Sequence, residues 1–155
     1  MNDLSDLVLP QAVAPRLVAA GREPAIQALS ALLADAAHID RRRAFDAVLM
    51  RERLSGTGVG EGVAIPHAMV DGLDRPVGAF ARLTPPVDFA AMDGRAADLV
   101  FMLLAPRARS GDHLKALARI SRFFRRADLR QRLRTARTGE ELCAVFSADV
   151  ESDAA

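Results

Sequence analysis

The sequence predicts a single α/β domain in which a small mixed β-sheet carries helices packed on both faces. Segments with helical periodicity lie toward both ends of the chain, and short apolar, β-branched segments lie between them. The segment 99–104 is apolar at every position, which is typical of a strand covered on both faces. The length of 155 residues is that of one domain with a full hydrophobic core.

Helices are predicted where apolar residues recur at intervals of three and four. Asp40 and Ser110 each precede such a segment, and residues of these types commonly accept hydrogen bonds from the first free amides of a helix. We therefore expect both to be N-caps. The five helical segments are 23–37, 41–53, 111–125, 128–136 and 139–147.

Strands are predicted in the middle of the chain, with one further strand near an edge of the sheet at 16–20. The others are 62–66, 77–83 and 99–104. The order of the strands in the sheet does not follow from these patterns. We expect the folded domain to span residues 5–147 and the small, acidic tail 148–155 to be disordered.

Composition excludes several classes of protein. The net charge is +1, from 21 basic and 20 acidic residues, which argues against a surface built throughout for nucleic acid or an anionic membrane. No apolar run is long enough to span a membrane, and the first residues lack the basic start of a signal peptide. The single cysteine, Cys143, excludes an internal disulfide framework and is expected to be a core residue. We expect a cytoplasmic protein without nucleic-acid or membrane partners.

The charges are unevenly distributed along the chain. Residues 107–137 include 11 basic and 2 acidic residues, a net charge of +9, and the rest of the chain carries a net charge of −8. One interpretation is a solvated outer face of the third helix. The other is a docking surface for an acidic partner or an anionic ligand.

The most unusual segment has glycine at positions 56, 58, 60 and 62 and ends in Pro66-His67. A run of glycines lets backbone amides approach an anion, and a histidine at the following strand end is placed to react with it. A phosphate-binding P-loop is excluded because the only lysine, Lys115, lies far away, and the glycine spacing does not fit a dinucleotide fingerprint. The alternative is a glycine-rich turn with a purely structural histidine.

Three further residues are candidates for the same site. On a helical wheel of about 100° per residue, His113 lies on the apolar side of its helix and in the first turn, where an anion is favoured. Glu52 also falls on an inner face and needs a partner, whereas Arg51 lies at the edge of that face and can bind phosphate oxygens. The alternatives are a hydrogen-bonded core histidine and an Arg51–Glu52 surface pair. His38, at the end of the first helix, is expected to be structural.

Residues 51–67, Arg-Glu-Arg-Leu-Ser-Gly-Thr-Gly-Val-Gly-Glu-Gly-Val-Ala-Ile-Pro-His, resemble the active-site signature of a known family. The family is that of the EIIA domains of the fructose/mannitol class in the bacterial phosphoenolpyruvate-dependent phosphotransferase system. Its nitrogen-related branch is the most similar. Segments 80–104 and 111–119 resemble the middle section and the second histidine motif of that family, so the likeness covers roughly residues 5–147.

The resemblance implies a role for each candidate residue. His67 would take a phosphoryl group on Nε2 from an HPr-like phosphocarrier protein. Arg51 would neutralise the phosphoryl oxygens, and His113 would hydrogen-bond the phosphoryl group or position the first ring. Since a neutral imidazole is the nucleophile, no metal or other cofactor is needed. The loop residues expected to bind phosphate are Thr57, Gly58 and Gly60.

The function expected from this resemblance is that of a regulatory phosphocarrier. It would signal to unidentified regulatory target proteins through its phosphorylation state, in nitrogen, carbon or potassium regulation. One alternative is a sugar-specific EIIA in fructose/mannitol-type uptake. Another is a binding module without phosphotransfer, suggested by the departures from the family pattern at Ser55-Gly56 and Glu61.

Overall fold

The computed structural model describes residues 4–147, in which a six-stranded sheet separates two layers of helices. The predicted tail at 148–155 lies outside the described residues, so its disorder remains a prediction. In chain order the elements are β1 (Val8–Leu17), α1 (Arg22–Ala37), α2 (Arg41–Leu54), β2 (Gly58–Gly60), β3 (Val63–Ala64), β4 (His67–Val70), β5 (Val77–Val87), β6 (Ala97–Pro106), α3 (Ser110–Arg125), α4 (Ala127–Thr135) and α5 (Gly139–Phe146).

The sheet is mixed, as predicted. Its order is β1-β5-β6-β3-β2. Strand β1 is parallel to β5, β5 is antiparallel to β6, and β2 is antiparallel to β3. Both β3 and β4 run parallel to β6, and they follow one another along the same edge of that strand. Val63 is aligned with Leu99 and His67 with Leu103, so residues 65–66 interrupt one edge of the central strand.

Helices cover both faces of the sheet, as predicted, and the two cores differ in composition. Helices α1 and α2 pack on a mainly aliphatic core, in which Phe89 is the only buried phenylalanine of the described residues, whereas α3, α4 and α5 pack on one rich in phenylalanine. Successive residues of β6 alternate between the two cores, which explains why that strand is apolar at every position. The clustered rings are Phe80, Phe101, Phe123, Phe124 and Phe146, with centroids 5.1 Å apart for Phe80 and Phe146.

All five predicted helices are present, and each end falls within one residue of its predicted position. Asp40 caps α2, because its Oδ2 accepts a hydrogen bond from the backbone N–H of Arg43 at 3.2 Å. The prediction that Ser110 is an N-cap is wrong. Ser110 is the first residue of α3, Arg109 occupies the cap position, and no side chain caps that end.

The strand predictions need two corrections. The strand predicted at 16–20 is β1, which begins at Val8 and ends at Leu17. It contains Pro10 and Pro15, and an edge strand tolerates such residues because one of its sides needs no partner. In the segment predicted at 62–66, β3 spans only two residues, and the flanking strands β2 and β4 were not predicted.

Across residues 4–147, no helix combines the length and the apolar character that crossing a membrane requires.

Candidate functional site

His67 lies at the start of β4, held against β6 and directly after the interruption of the sheet edge. Its Nδ1 is 2.7 Å from the backbone oxygen of Ile65. A carbonyl oxygen only accepts hydrogen bonds, so Nδ1 carries the proton, and Nε2 of the neutral ring has a free lone pair. No hydrogen bond to Nε2 is formed by the described residues. The backbone therefore selects the tautomer whose nucleophilic nitrogen points away from the main chain.

His113 reaches the same place from the first turn of α3. The centroids of the two imidazole rings are 5.4 Å apart, and their planes meet at 63°. His113 faces inward, as the helical wheel predicts, and is buried. Its Nδ1 is buried without a hydrogen-bond partner among the described residues. Leaving such a group unpaired costs about 1–3 kcal/mol.

Arg51 joins the two histidines from the last turn of α2. Its guanidinium donates a hydrogen bond to the backbone oxygen of Ser55 at 2.8 Å. Within residues 4–147, no carboxylate lies within ion-pair distance of it, so its charge is available to an anion. The three side chains line a pocket of about 590 Å³, whose other lining residues are Asp46, Ala47, Met50, Leu54, Ala68, Met69 and Arg107.

Both histidines are biased toward the neutral form. Burial is the largest influence on the pKa of His67 and lowers it. The hydrogen bond to the Ile65 carbonyl raises this pKa in part, the charge of Arg51 lowers it and the charge of Glu52 raises it, and the net direction is downward. Burial also lowers the pKa of His113, and the neighbouring His67 and Arg51 lower it further. Position in the first turn of a helix adds to this bias. The site thus combines a neutral nucleophilic imidazole, a second neutral imidazole and a fixed cation.

The structure does not bring Thr57, Gly58 and Gly60 into the pocket with His67. The backbone N–H of Thr57 donates to Glu52 at 2.9 Å, and that of Gly58 donates to the backbone oxygen of Phe89 at 3.0 Å. Gly60 is aligned with Val63 in the hairpin of β2 and β3. The phosphate-binding role predicted for these three residues has no support in this geometry, since the amides of the first two have acceptors within the protein.

Close packing and turn geometry explain the glycines. A Cβ added to Gly56 would lie 2.4 Å from the backbone oxygen of Phe89, so the loop can pass this segment only without a side chain there. Gly60, Glu61 and Gly62 have φ angles of 94°, 57° and 75°, and they form the turn between β2 and β3. Packing and turn geometry therefore give the glycine run a structural reason, and the phosphate-binding role of Thr57, Gly58 and Gly60 stays a prediction. His67 is a separate feature.

Glu52 is buried, as the helical wheel predicts, and its side chain is 2% exposed. Its carboxylate accepts from the amide and the hydroxyl of Thr57, at 2.9 and 2.5 Å, and lies 3.6 Å from the Arg22 guanidinium. The alternative of an Arg51–Glu52 surface pair is therefore wrong. The sequence contains no local signal for this partnership, because Arg22 lies 30 residues away.

Sequence reasoning also missed two exposed apolar residues of the pocket. Met50 is 69% exposed and Leu54 is 80% exposed, and both lie beside Arg51 on α2. Their spacing of four residues on the solvent side of a helix was the available signal. Two exposed apolar side chains therefore border the pocket of the two histidines.

The remaining candidates lie outside this site. His38 caps the C-terminus of α1 with a φ of 60°, consistent with its predicted structural role, and Cys143 is only half-buried. Most arginines of the basic segment 107–137 form ion pairs, and four of these join it to acidic residues elsewhere in the chain. These four are Arg107–Asp71, Arg119–Asp6, Arg130–Glu61 and Arg134–Asp98.

No group of three histidine, cysteine or carboxylate side chains in the described part of the chain is arranged to hold a metal ion.

Comparison with known proteins agrees with the fold and with the family that the sequence resembles. Residues 7–149 match the family described as the phosphoenolpyruvate-dependent sugar phosphotransferase system, EIIA 2. A nitrogen regulatory protein of Bradyrhizobium diazoefficiens is 44% identical over 93% of this chain and 94% of its own length. A fructose-specific EIIA component of Haloferax volcanii is 38% identical over 97% of this chain and 99% of its own length. The crystal structure of the nitrogen regulatory protein IIA-Ntr of Neisseria meningitidis superimposes with a TM-score of 0.85, at 29% identity, over 93% of this chain and 99% of that one.

Proposed function

The chain belongs to the EIIA 2 family of the phosphoenolpyruvate-dependent sugar phosphotransferase system, and from that premise we propose that it is a regulatory phosphocarrier. In this role His67 accepts a phosphoryl group from an HPr-like carrier protein, and the phosphorylation state acts as the signal. One observation carries the assignment of His67: its Nδ1–H is bound by the Ile65 carbonyl, which leaves Nε2 as the nucleophile beside Arg51 and His113.

The transfer step balances without a separate acid or base. The lone pair of His67 Nε2 attacks phosphorus, a bond from Nε2 to phosphorus forms, and the bond from phosphorus to the carrier histidine breaks. The electron pair of the broken bond returns to the carrier ring. His67 keeps the proton on Nδ1, so the phosphorylated ring is a cation whose charge the Ile65 carbonyl stabilises. One nitrogen–phosphorus bond replaces another, which keeps the step reversible.

Arg51 and His113 are assigned supporting roles in this step. Arg51 has no carboxylate partner in residues 4–147, and its planar guanidinium suits two phosphoryl oxygens. His113 in its neutral form presents one N–H to the phosphoryl group without adding a second positive charge. Such donors placed where charge develops are typically the largest contribution to catalysis of transfer reactions.

A regulatory role is favoured over sugar uptake by the relatives. The relative with 44% identity is named a nitrogen regulatory protein, and the structure with the TM-score of 0.85 is IIA-Ntr. Uptake is the second candidate, since a fructose-specific EIIA component is 38% identical over nearly the whole chain. Incubating the phosphorylated chain with the next component of a fructose uptake system separates the two. A regulatory phosphocarrier transfers little label, whereas an uptake component transfers it readily.

The site assignment is tested by intact-mass measurement after incubation with phosphoenolpyruvate and the upstream carriers. We expect one phosphoryl group on the wild type, stable in base and labile in acid, and none on His67→Ala. His38→Asn is the matched control, because asparagine tolerates the left-handed conformation at position 38. Full labelling of His67→Ala contradicts the assignment. No labelling of the wild type by any carrier supports the alternative of a binding module.

A further inference from the structure

A chain of short contacts leads from a buried carboxylate to the ring of His67. Glu52 accepts hydrogen bonds from both the amide and the hydroxyl of Thr57. The backbone oxygen of Thr57 accepts from the amide of Ile65 at 3.0 Å. The backbone oxygen of Ile65 then binds Nδ1 of His67 at 2.7 Å. Each link involves a group whose position is fixed by the previous one.

The anchor of this chain is held from its other side. The Arg22 guanidinium lies 3.6 Å from Glu52, donates to the backbone oxygen of Asp88 at 2.8 Å, and stands 5.9 Å from the centre of the Phe89 ring. The backbone oxygen of Phe89 also accepts a hydrogen bond from the backbone N–H of Gly58, the residue after Thr57. Glu52 therefore ties the end of α2 to the start of α1 and to the segment that supports the loop.

The free energy of this arrangement favours a specific role over simple packing. A buried carboxylate loses its hydration. An apolar side chain of the same size at position 52 would not incur that loss. Glu52 occupies the position next to Arg51 at the end of the same helix. Arg51 fixes Ser55 and Glu52 fixes Thr57, so this helix end determines the path of the loop that leads back to Ile65.

We propose that Glu52 is a positioning residue for His67, acting through Thr57 and Ile65 to hold the carbonyl that selects the Nδ1–H tautomer. This inference rests on the proposed function, because it assumes that Nε2 of His67 is the reacting atom. Glu52 itself touches neither the ring nor the pocket. Its effect is to keep the acceptor of the Nδ1 proton in place, so that the lone pair of Nε2 faces the pocket in nearly every molecule.

Two variants separate the parts of this mechanism. Thr57→Val removes the hydroxyl while keeping the size of the side chain and the backbone oxygen. Glu52→Gln keeps one acceptor atom and removes the charge that holds Arg22. The fraction of His67 in each tautomer is measured by nitrogen-15 NMR of the ring, which needs no phosphorylation. The rate of phosphoryl acceptance is measured separately by mass spectrometry.

We expect both variants to populate the Nε2–H tautomer of His67 and to accept phosphate about tenfold more slowly, as expected for a slightly misplaced nucleophile. Glu52→Gln should also lower the pKa of His67, since the Glu52 charge raises it. Thr57→Ser keeps the hydroxyl, so the tautomer of His67 and the rate of phosphoryl acceptance should be those of the wild type. The controls are Thr135→Val, whose hydroxyl bonds only within α4, and the exposed Glu23→Gln.

The proposal is overturned if Thr57→Val and Glu52→Gln keep the wild-type tautomer and rate. Loss of stability without a change of tautomer also overturns it, because that result assigns a structural role alone. If Thr57→Val or Glu52→Gln does not fold, Thr57→Ser still tests the proposal. The positioning role requires Thr57→Ser to have the wild-type tautomer and rate. If wild-type His67 never accepts phosphate, the proposed function fails. A shift of Glu52→Gln and Thr57→Val to the Nε2–H tautomer would then still show that Glu52 controls the tautomer of His67, which distinguishes the two failures.

Discussion

The glycine-rich segment 56–62 and the pocket of His67 are adjacent in the chain, but they differ in how fully their polar groups are paired. In the segment, the amides of Thr57, Gly58 and Glu61 all donate to acceptors within the protein. In the pocket, a buried histidine nitrogen has no partner and a guanidinium has no carboxylate in the described part of the chain. The unusual composition of the segment therefore has an explanation in packing and turn geometry, whereas the incompletely paired groups lie beside His67 in the candidate site.

The largest effect that tests this difference is expected at Arg51. Arg51→Ala should slow phosphoryl acceptance about a hundredfold, which corresponds to about 2.7 kcal/mol of activation free energy. Its stability should fall by about 1 kcal/mol at most, because a single hydrogen bond to Ser55 is lost. Time-resolved mass spectrometry and urea unfolding measure the two quantities. The control is Arg53→Ala on the same helix, and an equal loss of rate there would contradict a specific role of Arg51.

The next largest effect is expected in the glycine segment and on stability. Gly56→Ala should lower the free energy of unfolding by about 2 kcal/mol, because the new Cβ meets the backbone oxygen of Phe89. Gly21→Ala, where nothing lies within 4 Å of an added Cβ, should lower it by less than about 1 kcal/mol, through the weaker N-cap preference of alanine alone. Urea unfolding followed by circular dichroism is suitable, since the chain has no tryptophan or tyrosine. Equal stability of the two variants would show that the loop does not need glycine for packing.

A smaller effect of opposite sign is expected at His113. His113→Leu should raise the free energy of unfolding by about 1 kcal/mol, because it removes a buried nitrogen that has no partner. The same variant should accept phosphate more slowly. A variant that is less stable and equally active would place His113 with the structural residues.

The smallest expected effect is on the pH dependence of stability. The pKa of each pocket histidine lies below the ordinary value of 6.5, so the unfolded chain binds more protons than the folded chain just below that pH. Stability should therefore fall as the pH decreases from 6.5 through the lowered pKa values. Urea midpoints at pH 7.5 and 5 measure this decrease. The His67→Ala/His113→Ala double variant should show a smaller decrease than His38→Asn, and an equal decrease in both would exclude the pocket as its source.

The sequence predicted the features that depend on local periodicity. Helix α2 begins after Asp40 and buries Glu52, and α3 turns His113 inward, because both follow from spacing along a helix. The prediction that His113 lies beside His67 came from the resemblance to a family. The periodicity of one helix or strand gives no information on which residues of another element are its neighbours. The fold class followed from the same periodicities and from the uniform apolar character of β6.

The features that the sequence did not predict depend on partners distant in the chain. A side chain at position 56 would collide with the backbone of Phe89. Glu52 can be buried because Thr57 donates hydrogen bonds to its carboxylate and Arg22 lies at ion-pair distance from it. The strand β1 was misplaced because Pro10 and Pro15 interrupt its pattern, and its position at the sheet edge makes them tolerable. Contacts of this kind arise only when the sheet is assembled.

The interruption between β3 and β4 has a consequence for how a signal could be read. His67 is attached to the central strand of the sheet rather than to a free loop, because Pro66 and β4 bond to β6 on either side of its ring. A phosphoryl group on Nε2 would place roughly two negative charges on its oxygens and one positive charge on the ring, so the pocket would gain a net charge of about −1 on a surface that cannot easily move. The two states of the protein would then share one shape and differ in electrostatic potential, and a partner would distinguish them by charge.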